Sequence, residues 1–531
     1  MKGKAQAKNP ITGLDYPDVD VIRVGEIYYM VSTTMHFMPG CEILRSYDLV
    51  NWEHASYVYD VLDSTSGQCL EGESNIYGRG MWAATLRYHK GVFYVCFVAN
   101  DTQKTYLFTA PSVKGPWKKQ VVEGFYHDCS ILFDDDDKVY MVYGNKHIYL
   151  TQMEEDLSGP KPGGLHRMVV SDEGHPGLGY EGAHFYKIHG KYYLFFIHSL
   201  RTEWKRVEAC FISESLEGEF VGGDVLNDDM GYRNSGVAQG GIVDTPDGDW
   251  YAILFQDRGA SGRLPVLLPI SWEKDYPVFG KNGQIPKEFV VTSYNSEYPY
   301  EPLVQSDDFK KGRIFKGRAY ATDRVCEDAT YDSYGFKSCW QFNHEPDFSL
   351  IQRNMEDGLV EVITDKLCNN LTQAKNILTQ RMFSPKCAGE IRVNAVHLKD
   401  GDFAGICALQ GCYGAVALTK EAGKTYAVMM RKPEENNTSM GKTVDLLVPV
   451  IWEKRLVESD DICFRLEVDF TDGKDEAQFS LNTGEGWETF GPVHKLFFRL
   501  DHFTGCRFGL FVYSTKEPGG KGVFSDFVYK V

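Results

Sequence analysis

One short pattern recurs along the first half of the chain: a turn, a pair of aromatic residues and an apolar strand. It reads GEIYYMVST at 25–33, KGVFYVCFV at 90–98, DDKVYMVYG at 136–144, GKYYLFFIH at 190–198 and GDWYAILFQ at 248–256. Apolar and polar positions alternate on the short period of a strand, bounded by Gly, Asp, Asn and Pro, and no long helical period competes. The second aromatics, Tyr29, Tyr94, Tyr140, Tyr193 and Tyr251, are spaced by 65, 46, 53 and 58 residues. Units of that length suit four-stranded blades with loop insertions. Five copies predict a five-bladed β-propeller over residues 1–295.

The pattern changes after that point. SEYPYEPLVQSDDF, at 296–309, carries Pro and Tyr, and residues 296–306 read as a linker. Residues 307–531 are again rich in alternating strands, among them GEIRVNAVHL, DICFRLEVDF and GCRFGLFVYS. Strands separated by turns over such a length predict a β-sandwich. The fold class is therefore all-β, a propeller followed by a sandwich.

A propeller lays the first strand of each blade along its central axis, so residues at matching positions on those strands should face one another. Counting back 12 residues from the aromatic marker reaches Trp82, Asp128, Glu181 and Gln239; in the first unit 11 residues lead to Asp18. Three of the five positions are acidic. Like charges brought to one axis repel and raise the cost of folding, so Asp18, Asp128 and Glu181 are candidates for chemistry rather than architecture.

Charge and cysteine usage narrow the context. A formal charge of −18 disfavours nucleic acid and anionic membranes as partners. Thirteen scattered cysteines without a CxxC pair fit reduced thiols. No apolar run resembles a secretory signal or a membrane span. A cytoplasmic protein is the expectation, and a homo-oligomer is left open.

Taken with their flanks, these segments resemble glycoside hydrolase family 43. NPITGLDYPDVDVIRVGEIYYMVST is similar to the family's opening segment, where an Asp after Pro is the catalytic base; this maps to Asp18. FYHDCSILFDDD resembles the segment whose Asp tunes the acid and orients the sugar, which maps to Asp128. GYEGAHFYKIHGKYYLFF resembles the segment with the general acid, mapping to Glu181. VDTPDGDWY and GRLPVLLPISWE match the fifth-blade pattern, with Arg263 as a substrate contact. The C-terminal part resembles the concanavalin A-like sandwich of the family's β-xylosidases and arabinofuranosidases. Asp20, two residues past Asp18, is a rival base on composition. Gln239 stands where many members have a His that helps hold a hydrated calcium, so a structural calcium at the propeller centre is a candidate; no cofactor is required for the chemistry.

The resemblance implies exo-acting, inverting release of terminal α-L-arabinofuranosyl or β-D-xylosyl units from arabinoxylan-derived oligosaccharides. Inversion asks for two carboxyls about 6.5–9.5 Å apart, with water between base and anomeric carbon. Burial beside Asp128 is expected to keep the proton on Glu181. His36, Phe37, Trp82, Gln239, Arg263 and Phe503 are the candidate sugar contacts, Phe503 from a sandwich loop reaching the propeller mouth. Two rival readings are a retaining five-bladed glycosidase or transglycosylase on other sugars, and a propeller that binds carbohydrate without turning it over.

Overall fold

A computed structural model of the protein describes residues 1–313, 330–433 and 446–531. Five four-stranded antiparallel sheets follow one another through the first part of the chain. Their inner strands are Asp20–Val24, Met81–His89, Ser130–Phe133, Glu181–Ile188 and Ala238–Asp244. Each blade is a simple meander, so strands adjacent in sequence pair in space. The aromatic markers fall on the second strand of each blade, where their rings pack between sheets: Tyr193, Phe195, Ile242 and Leu254 share one such layer.

Many propellers close by lending one strand to the last blade. Here every blade is built from consecutive strands, and the ring is closed by other means. Gly3–Lys8 pairs antiparallel with Glu288–Ser293, tying the N-terminus to the segment after blade 5. Arg23 of blade 1 meets Asp244 of blade 5 at 2.6 Å.

Downstream, among the described residues, two sheets of seven and eight strands face each other. In Asp461–Asp469 the alternation is clear: Ile462, Phe464, Leu466 and Val468 are buried while their neighbours are less so. The segment expected to be a linker is docked. Tyr298 Oη donates to Glu53 and Tyr300 Oη donates to Asp48.

The domains share a buried polar seam. Arg381 of the sandwich meets Glu42 of blade 1 at 2.7 Å, both nearly inaccessible. Asp15 joins three segments, its carboxylate accepting the backbone N–H groups of Arg263 at 2.7 Å and Gly505 at 2.8 Å. This junction sets the sandwich loop carrying Phe503 against the propeller mouth.

Candidate active site

The strand pairing fixes which residues are equivalent around the axis. Tyr29, Tyr94, Tyr140, Tyr193 and Tyr251 pair with Ile22, Arg87, Leu132, Tyr186 and Val243. Four residues before each partner stand Asp18, Ala83, Asp128, Gly182 and Gln239. All five have left-handed backbone, with φ of 51°, 29°, 49°, 65° and 58°. Such conformations are costly for residues with a Cβ and collect at functional sites. Each blade thus turns sharply as its chain enters the axis, and the turns bring Asp18, Trp82, Asp128, Glu181 and Gln239 to the mouth.

The sequence count needs correcting here. Trp82 and Glu181 precede the true equivalents, Ala83 and Gly182, by one residue. The hairpins differ: blades 1, 2 and 4 turn through two residues, as at His189–Gly190, and blades 3 and 5 through five, as at Asp134–Lys138. A count across the turn therefore slips between blades. Gly182 is required at its place, because a Cβ there would lie 2.6 Å from Cδ of Gln239.

Seven of the nine expected residues meet at one cleft of about 220 Å³: Asp18, Trp82, Asp128, Glu181, Gln239, Arg263 and Phe503. Asp18 Oδ1 accepts a hydrogen bond from Arg263 Nη1 at 3.0 Å. Burial pushes its carboxyl up from the ordinary value; Arg263 opposes this, and the Thr33 side chain also favours the anion. Asp128 Oδ2 accepts the backbone N–H of Gly182 at 2.9 Å. Its carboxyl too is pushed up by burial, against the pull of His127. Glu181 Oε2 accepts from Asn145 Nδ2 at 2.5 Å. The burial expected at Glu181 falls instead on its partners: side-chain exposure is 23% for Glu181, 10% for Asp18 and 8% for Asp128.

His36 and Phe37 lie away from the cleft. Both are buried, and His36 sits among Phe37, Tyr77, His344 and His502. Phe37 lies under the guanidinium of Arg507 at 3.5 Å. Through His502 this cluster supports the loop that bears Phe503, so the two residues act behind the wall. Asp20 is also settled: it is fully buried and pairs with Arg87 at 2.7 Å and with His184 at 3.2 Å. Against the cost of burial, those partners hold its carboxyl well below the ordinary range.

The cleft contains residues that the sequence reading missed: His127, Asn145, Ile197, Arg206 and Phe255. His127 Nε2 lies 3.6 Å from Asp128 and 3.8 Å from Glu181. Asp128 beside it pushes its pKa up to about 9, with help from Glu181. A cation thus sits between those two acids at neutral pH. Arg206 is paired with Asp257; burial, with Arg263 nearby, lowers its pKa to about 10. Neither residue shares the marker-based register, although His127 adjoins Asp128 in sequence and could have been picked out as its neighbour.

Trp82 and Phe503 form the aromatic wall, their rings edge to face with centroids 5.7 Å apart. The guanidinium of Arg263 lies 4.7 Å from the Phe503 ring centroid, and its Nη2 donates to the Phe503 carbonyl at 3.3 Å. Phe503 therefore fixes the residue that grips Asp18.

The residues at the axis do not make a calcium cage. Calcium takes about 6–8 oxygen ligands, several of them anionic. Here Asp20 is spent on Arg87 and His184. The guanidinium of Arg87 itself fills the axis, donating to Asp20, Ser130 Oγ and the Ile131 carbonyl, each at 2.7 Å. Glu208, next to Gln239, accepts that residue's N–H at 2.7 Å and is pushed far up by burial, toward the neutral acid. A larger groove of about 470 Å³ on the sandwich, beside Lys386 and Val531, is lined in part by paired charges, as in Lys386–Asp469 and Lys474–Glu476.

Comparison with known proteins agrees with this geometry. The signature of glycosyl hydrolases family 43 matches residues 7–277, and that of the β-xylosidase C-terminal concanavalin A-like domain matches residues 329–530. The chain belongs to glycosyl hydrolases family 43. It is 24% identical to a β-xylosidase of Formosa agariphila, over 96% of this chain and 88% of that one. It is 30% identical to a non-reducing end α-L-arabinofuranosidase of Bacteroides ovatus, over 56% of this chain and 58% of that one. Among solved structures, a bifunctional protein of Bacteroides eggerthii combining a family 43 part with a CE part superposes with a TM-score of 0.86 at 38% identity. That match covers 99% of this chain and 64% of the longer one.

Proposed function

We propose that the protein is an exo-acting, inverting glycosidase that removes terminal α-L-arabinofuranosyl or β-D-xylosyl units from arabinoxylan-derived oligosaccharides. One observation carries this reading: Asp18 and Glu181 face a single small cleft from blades 1 and 4, two blades apart on the ring, while Asp128 on blade 3 neighbours Glu181. Two carboxyls lining one cleft are what an inverting base and acid require. The family is an inverting one.

The steps follow from the contacts. Asp18, held by Arg263 and Thr33, takes a proton from water as that water attacks the anomeric carbon. Glu181 gives its proton to the leaving oxygen. Asp128 fixes the chain at Gly182 and, with His127, sets the field around Glu181. Trp82 and Phe503 offer apolar faces to the C–H face of a pentose. The cleft is smaller than the ~300–1,000 Å³ typical of drug-sized ligand sites, which fits one sugar unit and end-wise action.

Relatives named for both sugars support a pocket that takes either. Parallel assays with nitrophenyl α-L-arabinofuranoside and nitrophenyl β-D-xyloside test this. Turnover of at least one is expected, and turnover of neither would remove the reading. A cytoplasmic location belongs to the same proposal. It is supported by the cysteine pattern of the sequence, thirteen scattered residues without a CxxC pair, and cell fractionation tests it.

A further inference from the structure

The rim of the cleft beyond Glu181 carries an exposed tryptophan that the mechanism does not use. Trp204 is 61% exposed. It sits on the hairpin between Lys191–Ser199 and Arg206–Ser213, in the blade whose inner strand begins at Glu181. Single exposed apolar residues are common and need no explanation. The setting of this one is unusual.

The hairpin is held from three directions. Leu200 N–H donates to the Lys205 carbonyl at 2.9 Å and closes it. Arg201 Nη2 donates to Asp172 at 2.6 Å, tying it to the loop that leads into Glu181. Glu203 accepts from Asn234 Nδ2 at 2.8 Å, tying it to the loop before blade 5. The indole is also packed at one edge: its Cε3 lies 3.6 Å from where a Cβ on Gly177 would stand, a point that the Ser199 and His175 side chains also approach. Arg206, which lines the cleft beside Glu181, has its guanidinium 5.8 Å from the ring centroid. Glu181 and Arg206 line the cleft, and Trp204 lies outside that lining, against Arg206.

Direction gives this arrangement its meaning. The general acid protonates the oxygen that leaves, so the leaving sugar lies on the Glu181 side of the cleaved bond. A flat, anchored indole there presents an apolar face where the next pyranose must pass. We propose that Trp204 is the stacking platform for the leaving-group sugar, a pyranose of the xylan backbone, with Arg206 donating to hydroxyls between that sugar and the cleaved one. This rests on the glycosidase reading above.

The test uses the full chain and three forms: wild type, Trp204→Ala and Trp204→Phe. Each is assayed on a xylo- or arabinoxylo-oligosaccharide and on the matching glycosyl fluoride, which has the same cleaved sugar and no leaving sugar. The readout is the ratio of kcat/KM on the oligosaccharide to kcat/KM on the fluoride. In Trp204→Ala this ratio should fall by about 10- to 50-fold, mostly through KM, as expected for binding made equally in ground and transition states. In Trp204→Phe it should stay within about fivefold of wild type, since the smaller ring keeps a stacking face. An unchanged ratio in Trp204→Ala, or equal losses on both substrates, would overturn the platform while leaving the enzyme reading intact. If wild type cleaves neither substrate, the glycosidase reading fails instead.

Discussion

The Asp128 carboxylate accepts the backbone N–H of Gly182 at 2.9 Å and so grips the chain one residue past Glu181. One acid thereby sets the position of another across a blade boundary. Both need their unusual backbone: Asp128 is left-handed at φ 49° and Gly182 at φ 65°. The arrangement implies that Asp128 acts on catalysis through the placement and field of Glu181. Asp128→Asn should reduce kcat by about 10–100-fold, the scale of a small misplacement of a catalytic group. Steady-state kinetics beside a thermal melt checks this; a kcat equal to wild type would contradict it.

His127 lies within 4 Å of Asp128 and Glu181, and its pKa is pushed up to about 9 by Asp128. A histidine raised above its unfolded value of about 6.5 adds stability that is fully present below that pH and is lost as pH rises through the folded value. The melting temperature should therefore decline between about pH 6.5 and 9 through this group. Melts of wild type and His127→Gln across that window test the point, and the variant should show a flatter decline.

Arg263 opposes the upward push that burial gives the Asp18 carboxyl. An Arg beside an Asp typically lowers its pKa by about 1–3. Removing the guanidinium should thus leave Asp18 protonated to higher pH. In Arg263→Ala the acid limb of the kcat/KM profile should move upward by about one pH unit or more, beside any loss of sugar contact. An acid limb in the wild-type position would contradict the pairing.

Arg87 supplies the positive charge at the propeller axis. We expect the thermal midpoint and kcat to be the same after dialysis against EDTA and after addition of calcium. Arg87→Met should instead cost about 3–5 kcal/mol, because it takes the guanidinium from a buried carboxylate, Asp20, and leaves it only His184 as an ionic partner. Chemical denaturation measures that loss.

Much of this architecture is written in the chain because it repeats. The aromatic pair must fill the space between neighbouring blades in every unit, so Tyr29, Tyr94, Tyr140, Tyr193 and Tyr251 mark the fold without any knowledge of contacts. Asp18 and Asp128 follow from the same register, Glu181 stands one residue before it, and all three reach the cleft. The one-residue slip at Trp82 and Glu181 arises because hairpin length is local: two residues or five fit equally well at the outer end of a blade. His36 and Phe37 looked like sugar contacts because they follow blade 1's second strand. Their burial depends on Tyr77, His344 and His502, whose approach is a matter of how the two domains dock. His127 and Arg206 were hidden for a different reason. A charged residue near a strand end is ordinarily solvated, and only the tertiary structure shows these two facing carboxylates in a cleft.

The central claim is that Asp18 and Glu181 act as separate base and acid across a water molecule. Proton NMR of the first sugar released, recorded before mutarotation, tests it most directly. The account predicts release with inverted anomeric configuration by wild type, and loss of that signal by about 10²–10⁴-fold in rate for Asp18→Asn. Release with retained configuration would contradict it, since that outcome requires one carboxylate to act as a nucleophile and not as a base on water.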